Sequence, residues 1–572
     1  MSRWRNPSLL WGFLAAYLLL FLVLPVGKLF FFALIDDAGS AFGGTFRLFL
    51  DNPLYLESLG NSLLTALGAS LLAALTAIPL AMLLWRFRLH PPLVLELFCF
   101  LPLFIPAFML SLSLQSLLGR GGALGLMLQS FADLDPSRWG LLGVMLIEAI
   151  HYFPLVLICL MLNTSAFSQQ ADEAVRLGNS WPRLLTRVFL PLGLPGLAFG
   201  MVITFLKTLD DLATPLSLGL TNLLAPQAFF RVSTYGAQDP LSSLTAVLMI
   251  VISALAWLLT VSFVQHGASR WGAVTAHGTA PLSRRQRRVA FACLGVMAAF
   301  YLLCYSGTIL NSFARIWSHS LLPESWVWSH YLTALKNETG SFVNTLLYCG
   351  FAAVIDVIVG LAMAYAIGHA SARWKKTLAW GAAGLLSVPG VALAIAYLQF
   401  FQGCSLPFFD KPLDAPWFLL PMVFAVRGLP FAIRVGSFAL QNLSPSCLEI
   451  AALSGASRFS ILWRIAVPMM GSGLLMALLI CFGIAAADLS SAMLLVPGEA
   501  DAPVSYSIYL HMQAVTGRGA GSALALLTIA VVALGMTVFA FFVRRTRGLA
   551  SGFWRIVFSD NLREGRGVRR EA

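Results

Sequence analysis

Asp172-Glu173-Ala174-Val175-Arg176-Leu177-Gly178, closing with Arg187, Leu190 and Pro191, has a second copy in the same chain. It is Glu449-Ile450-Ala451-Ala452-Leu453-Ser454-Gly455, closing with Arg464, Val467 and Pro468, 277 residues further on. Acid to Gly is six residues in both copies, and Gly to Pro is thirteen. A polar elbow recurring at fixed spacing in an otherwise apolar chain implies two homologous halves, each showing its elbow on the same side of a membrane.

Composition supports the membrane class. The chain is 59% hydrophobic and 11% charged, with mean hydropathy +0.82, far from a soluble domain. A helix needs about 20 apolar residues to cross the roughly 30 Å hydrocarbon layer. Twelve stretches qualify: Leu9–Leu34, Ser62–Leu84, Leu93–Leu118, Leu141–Leu162, Leu192–Ala213, Leu244–Val264, Val289–Leu310, Val343–Gly368, Leu378–Phe401, Trp417–Leu440, Met469–Ala487 and Ala523–Val543. The expectation is an all-α integral membrane protein of about twelve spans in two six-helix halves. The first stretch exceeds a signal-peptide apolar core and lacks a clear small-residue cleavage site, so it is expected to be retained.

Basic residues set the orientation. With both termini in the cytoplasm, 25 of the 37 Lys and Arg residues fall in cytoplasmic segments, and only eight in external loops. The net charge of +12 is thereby explained without a nucleic-acid partner. The eight Cys residues include no Cys-x-x-Cys pair, and neither a disulfide framework nor a metal site is implied. A polar segment, 265–288, with the cluster Arg284-Arg285-Gln286-Arg287-Arg288, is expected to be a cytoplasmic linker between a first half (1–264) and a second (289–543). A basic tail, 544–572, follows. The repeat reaches beyond the elbows. Asn61-Ser62 and Asn344-Thr345 stand 283 apart, as do Pro106 and Pro389, whereas Asp211-Leu212 and Asp488-Leu489 keep the 277 offset.

Each elbow has the makings of a short capped helix. Ser444-Pro445 supplies an N-cap and a Pro at the first helical position, and Ser168 is the weaker counterpart. The acids Asp172, Glu173 and Glu449 suit the positive end of such a helix. Gly178 and Gly455 permit a tight turn before the chain returns to the bilayer. An ordinary capped loop would serve one copy as well. Two copies in register favour docking sites for a cytoplasmic partner.

This pattern resembles the EAA loop of permease subunits in binding-protein-dependent ABC importers: Glu-Ala-Ala, three residues, Gly, then a hydrophobic residue and Pro. Glu449, Ala451, Ala452, Gly455, Arg464 and Pro468 form the fuller match; Asp172, Glu173, Ala174, Gly178, Arg187 and Pro191 form the other, with Asp where Glu is usual. Two such units in one chain look like the fused permeases of the iron(III), thiamine and 2-aminoethylphosphonate importer group. The resemblance spans about 61–264 and 343–543 and implies a type I importer permease in the bacterial inner membrane. It also implies two cytoplasmic ABC ATPase subunits that use ATP-Mg, an extracytoplasmic solute-binding protein, and no cofactor on this chain. The chain has no G-x-x-x-x-G-K-[ST] loop, so hydrolysis is expected on another chain.

Charges inside spans are costly unless they face protein or water. Glu148 and His151 share a face of the fourth span, Arg427 holds roughly the corresponding place in the tenth, and Asp356 lies mid-way along the eighth. Each suits either an interhelical contact or a place on the solute path. Asp211 and Asp488, with Asp210, fall near the outer ends of the fifth and eleventh spans, as helix-end groups or an outer gate. An ion-coupled secondary transporter with internal repeats is the alternative, and it gives no reason for two matched elbows.

Overall fold

The computed structural model describes residues 8–547 apart from 35–42, 88–102, 129–134, 166–180, 269–283, 514–516 and a few isolated positions. Nine of its helices are long and apolar enough to cross a membrane, and two bent pairs bring the number to eleven. In chain order the first half has α1 (Leu10–Leu34), α2 (Pro53–Leu84), the shorter α3 (Ala107–Leu118), α4 (Leu141–Met161), α5 (Pro182–Asp210) and α6 (Pro240–Val264). The second half has α7 (Phe291–Phe313), α8 (Thr339–His369), the bent α9 (Arg373–Ser387 and Gly390–Phe401), α10 (Pro416–Leu440), the bent α11 (Trp463–Gly471 and Gly473–Ala486) and α12 (Arg518–Gly535). Each apolar stretch of the sequence therefore has a helix. A short antiparallel ribbon, Ser405–Leu406 with Phe409–Pro412, lies between α9 and α10.

Side chains are sorted as a bilayer requires. On α2, Leu64, Leu67, Leu71 and Leu75 face outward, more than half exposed, while Ala66, Ala69, Ala73 and Ala77 are fully buried. Lipid tails offer no hydrophobic drive between helices, so small residues inside allow close backbones and large apolar ones meet lipid. Gly360 of α8 lies against Ala432 of α10, and Gly200 of α5 against the backbone of Val156 on α4; a Cβ at either would stand 2.5–2.6 Å from its neighbour.

The repeat is visible in hydrogen bonds. Ser62 Oγ accepts from Leu224 N at 2.8 Å, and Thr345 Oγ1 accepts from Val504 N at 2.7 Å. Asn61 donates to Asn222 O, and Asn344 to Ala500 O. Both halves also widen into a π turn just before the conserved-spacing proline, at Leu185–Phe189 and Leu462–Ala466, 277 apart. Pro191 and Pro468 lack an N–H and crowd the carbonyl four residues back, and the wider turn relieves that clash.

Arg284–Arg288, expected at the end of the linker, form the start of the α7 helix, which runs Arg284–Phe313. The rest of the linker at 269–283 and the tail beyond 547 lie outside the described residues.

Candidate functional site

At the end of α5 the chain does not leave the bundle but turns into a short helix, Ala213–Ser217, capped by Asp211: its carboxylate accepts from Ala213 N and Thr214 N at 3.2 Å each. At the end of α11, Asp488 caps Leu489–Leu495 by accepting from Ser491 N at 3.2 Å. Thr214 and Ser491 are again 277 apart. The role these two aspartates share is thus N-capping of a helix that folds back into the protein.

Between the caps lies Arg427 of α10. Its Nη2 is 2.7 Å from Asp210 Oδ2, its Nη1 is 2.7 Å from Asp488 Oδ2, and Nη1 also donates to Ser491 Oγ at 3.1 Å. All three charged side chains are about nine-tenths buried. The planar guanidinium suits this double bridge. Asp210 belongs to the first half and Arg427 to the second, so the pair ties the halves together. Two more bonds cross at the same level: Val391 N donates to Asp210 Oδ1 at 3.0 Å, and Leu212 N donates to Ser490 Oγ at 3.3 Å. Gly390 is required beside them, because a Cβ there would overlap Arg427 Nη1.

From this ion cluster a cavity of about 750 Å³ runs between the halves towards the elbow ends of α4, α5 and α10. His151, Tyr152, Phe199 and Lys207 line it from the first half; Trp380 and Ala487 line it from the second. Its walls are mainly apolar, with Lys207, Asp210, Asp211 and Asp488 near Arg427 and a second guanidinium, Arg434, further along α10. Nδ1 of the buried His151 has no hydrogen-bond partner, and its ring meets Tyr152 edge-on with centroids 4.5 Å apart.

Of the six path candidates, Asp211, Arg427, Asp488 and His151 come together on this cavity. Glu148 sits behind the wall, fully buried, with Thr208 Oγ1 donating to its Oε2 at 3.5 Å. Asp356 is buried away from the cavity against Gly428, where a Cβ would strike its carboxylate. Asp210, given in the sequence only a helix-end or outer-gate reading, proves central, and Lys207 of the same helix lines the cavity beside it. They are three apart on one face of a membrane helix, itself a usable signal.

Of the first elbow, Asp172, Glu173, Ala174 and Gly178 lie outside the described residues, while Arg187 is exposed and Pro191 half-buried. The second forms a helix, Pro445–Leu453, that contains Glu449, Ala451 and Ala452. Gly455 follows with φ +80°, the left-handed turn that favours glycine. Ile450 and Leu453 project from it, 62% and 88% exposed, and Arg464 and Pro468 are exposed too. Among the described residues no group of His, Cys, Asp and Glu could hold a metal ion.

Residues 356–548 match the family described as "Binding-protein-dependent transport system inner membrane component". Over 505 residues the chain is 23% identical to the ferric transport system permease protein FbpB of Actinobacillus pleuropneumoniae, covering 85% of this chain and 71% of that one. It is 24% identical over 417 residues to the putative ferric transport system permease protein FbpB 1 of Haemophilus influenzae, covering 71% of this chain and 64% of the relative. It is also 27% identical over 167 residues to the molybdenum transport system permease protein ModB of the same species, covering 28% of this chain and 72% of ModB. The family match contains the fuller elbow, Arg427 and Asp488, and the longer alignments extend the likeness across most of the chain. The chain is a multi-pass inner-membrane permease subunit of an ABC importer.

Proposed function

We propose that the cavity between the halves is the solute path, open towards the elbows and sealed at its other end by Asp210, Arg427 and Asp488. The single observation that carries this is the placement of the ion cluster. It joins the halves across one end of the cavity, where a transporter working by alternating access needs a contact that can be made and broken. With the elbows and both termini in the cytoplasm, the sealed end faces outward.

Two ATPase subunits dock on the elbows, using ATP-Mg on their own chains. The exposed Ile450 and Leu453, beside the acid-bearing turn of Pro445–Leu453, offer an apolar anchor for such a groove. ATP-bound partners favour the outward-facing arrangement, because a conformational change requires differential affinity for its two states. A soluble binding protein delivers the solute. Iron(III) is the cargo we favour, on the likeness to permeases named for ferric transport.

The test is reconstitution of the chain in liposomes with its ATPase and binding protein. ATP-dependent accumulation of labelled iron(III) that requires all three components is the expected result. Accumulation without the ATPase, driven by an ion gradient, would overturn the proposal.

A further inference from the structure

Each half carries a short helix immediately before its second span, on the side away from the elbows. They are Gly44–Asp51, joined to α2 by Asn52 alone, and Ser329–Asn337, joined to α8 by Glu338 alone. Neither is long enough to cross a bilayer. Successive residues of a helix are turned by about 100°, and that turn sorts Ser329–Asn337, with Trp328 before it, into three stripes of unlike character. His330, Tyr331 and Ala334 face the protein: His330 Nε2 is 2.9 Å from Ala314 O, Tyr331 OH is 2.9 Å from Ser312 Oγ, and Ala334 is buried. Trp328, Leu332 and Leu335 form the second stripe and are 70%, 61% and 53% exposed. Ser329, Thr333, Lys336 and Asn337 form the third, all exposed and all polar. The centres of the stripes stand roughly 120° apart around the axis.

Gly44–Asp51 repeats this sorting in the same rotational order of protein, apolar and polar. Thr45 and Phe49 are buried, Phe49 against Tyr55 with ring centroids 5.4 Å apart. Phe46 and Leu50 are exposed on the apolar stripe, and Arg47 and Asp51 pair at 3.5 Å on the polar one. Leu48 alone departs, exposed between the polar and protein stripes. A helix on a protein–water boundary needs two faces, apolar inward and polar outward. An exposed apolar stripe between them calls for a third medium. Acyl chains fit, because each short helix leads directly into a span whose own outer side is exposed and apolar, with Leu64 and Leu67 on α2 and Val343, Leu346 and Leu347 on α8. Trp326, two residues before Trp328 and also exposed, adds a second indole, the ring that gathers at membrane–water interfaces.

We infer that the two short helices are in-plane membrane anchors, lying in the bilayer interface opposite the elbows, with Phe46, Leu50, Trp328, Leu332 and Leu335 among the acyl chains and the polar stripes in water. An amphipathic helix holds an interface in this way, its apolar side sunk to the boundary of headgroups and chains. Joined to its span through one residue, each anchor fixes the depth at which α2 or α8 enters the bilayer. It also gives each half its own hold on the same leaflet.

The experiment places the photo-crosslinking residue benzoylphenylalanine at one position at a time in the full chain, in nanodiscs of phosphatidylethanolamine and phosphatidylglycerol. Lipid adducts are counted by mass spectrometry after illumination, with Leu346 on the outer side of α8 as the lipid-facing reference. All positions are exposed, so the substitutions leave the packing of the spans intact. Adducts at Phe46, Leu50, Leu332 and Leu335 should approach the yield at Leu346 and exceed those at Arg47, Asp51, Thr333 and Asn337 by about fivefold or more. Equal yields on the two stripes would overturn the anchors. So would transfer of the crosslinks at Leu332 and Leu335 from lipid to a solute-binding protein added to the nanodiscs, since the apolar stripe would then be a protein-docking face.

Discussion

Asp210→Asn and Asp488→Asn remove the same charge from the same guanidinium, yet should have different consequences. Asp210 reaches Arg427 from the other half, whereas Asp488 and Arg427 belong to one half. On the proposed cycle only the first bridge must break when the halves part at the sealed end. A charge-assisted hydrogen bond contributes about 1.5–3 kcal/mol. Neutralising Asp210 should therefore shift the equilibrium towards the outward-facing state by roughly ten- to 150-fold, at about 1.4 kcal/mol per tenfold. Asn retains an acceptor for Val391 N, so the helix end is not stripped. In Asp488→Asn the cap survives, since Asn caps as well as Asp, and Arg427 stays paired with Asp210. The assay is ATP hydrolysis by the assembled complex without binding protein, because on the proposed coupling an outward bias would bring the ATPase subunits together unprompted. Asp210→Asn should raise this basal rate at least several-fold, and Asp488→Asn should leave it within about twofold. Equal effects from both variants, or none from Asp210→Asn, would refute the latch.

Glu449→Ala should cost more ATPase affinity than Asp172→Ala, by about 1 kcal/mol, since the shorter Asp reaches a partner's cation less well; affinities of both variants for one ATPase preparation decide it. Gly455→Glu should leave the chain inserted but uncoupled. Any side chain at φ +80° costs roughly 1–2 kcal/mol, and this one adds a charge at the docking face; transport and ATPase co-purification should fall while expression holds. Single cysteines in the elbows, 168–191 and 444–468, should label only from the cytoplasm, and those at Asp51, Asp133 and Asp414 only from outside. Glu338, just outside α8, is raised in pKa by partial burial but lowered more by hydrogen bonds from His511, at 2.7 Å, and from Ser341, so its net value lies below the ordinary 4.5. A depressed carboxylate stabilises the fold above its unfolded value and loses that contribution as pH falls through the folded one. Thermal stability should drop over that acidic window in wild type and much less in Glu338→Gln.

Hydropathy made the spans legible because a bilayer imposes one length and one polarity on every crossing helix. It could not show that α9 bends by 87° before Gly390, since both limbs belong to one continuous apolar run. The exposed glycine turn at Gly455 followed from spacing, because backbone conformation is a local matter. The ion cluster did not. Asp210, Arg427 and Asp488 are far apart in sequence, and their meeting depends on how the two halves pack. The sequence places Asp211 and Asp488 at span ends. The structure adds that the chain folds back inward there, which puts helix-end residues against the cavity. Asp356 and Glu148 had the same signature in sequence as Arg427, and only packing separates the two behind the wall from the one on it.

The latch also bears on why the halves share one polypeptide. Consider a permease assembled from two copies of the first half: Arg427 corresponds there to the Ile150–His151 turn, and Asp210 would meet no guanidinium. Two copies of the second half would bring Arg427 against Ala487, the residue that the 277 offset puts in place of Asp210, and no carboxylate across the seam. Only the unlike pairing closes the bridge, so the ion cluster acts as a mating key that rejects like halves. Fusion then guarantees that each molecule holds one of each, in fixed proportion, and frees each half to diverge at the seam.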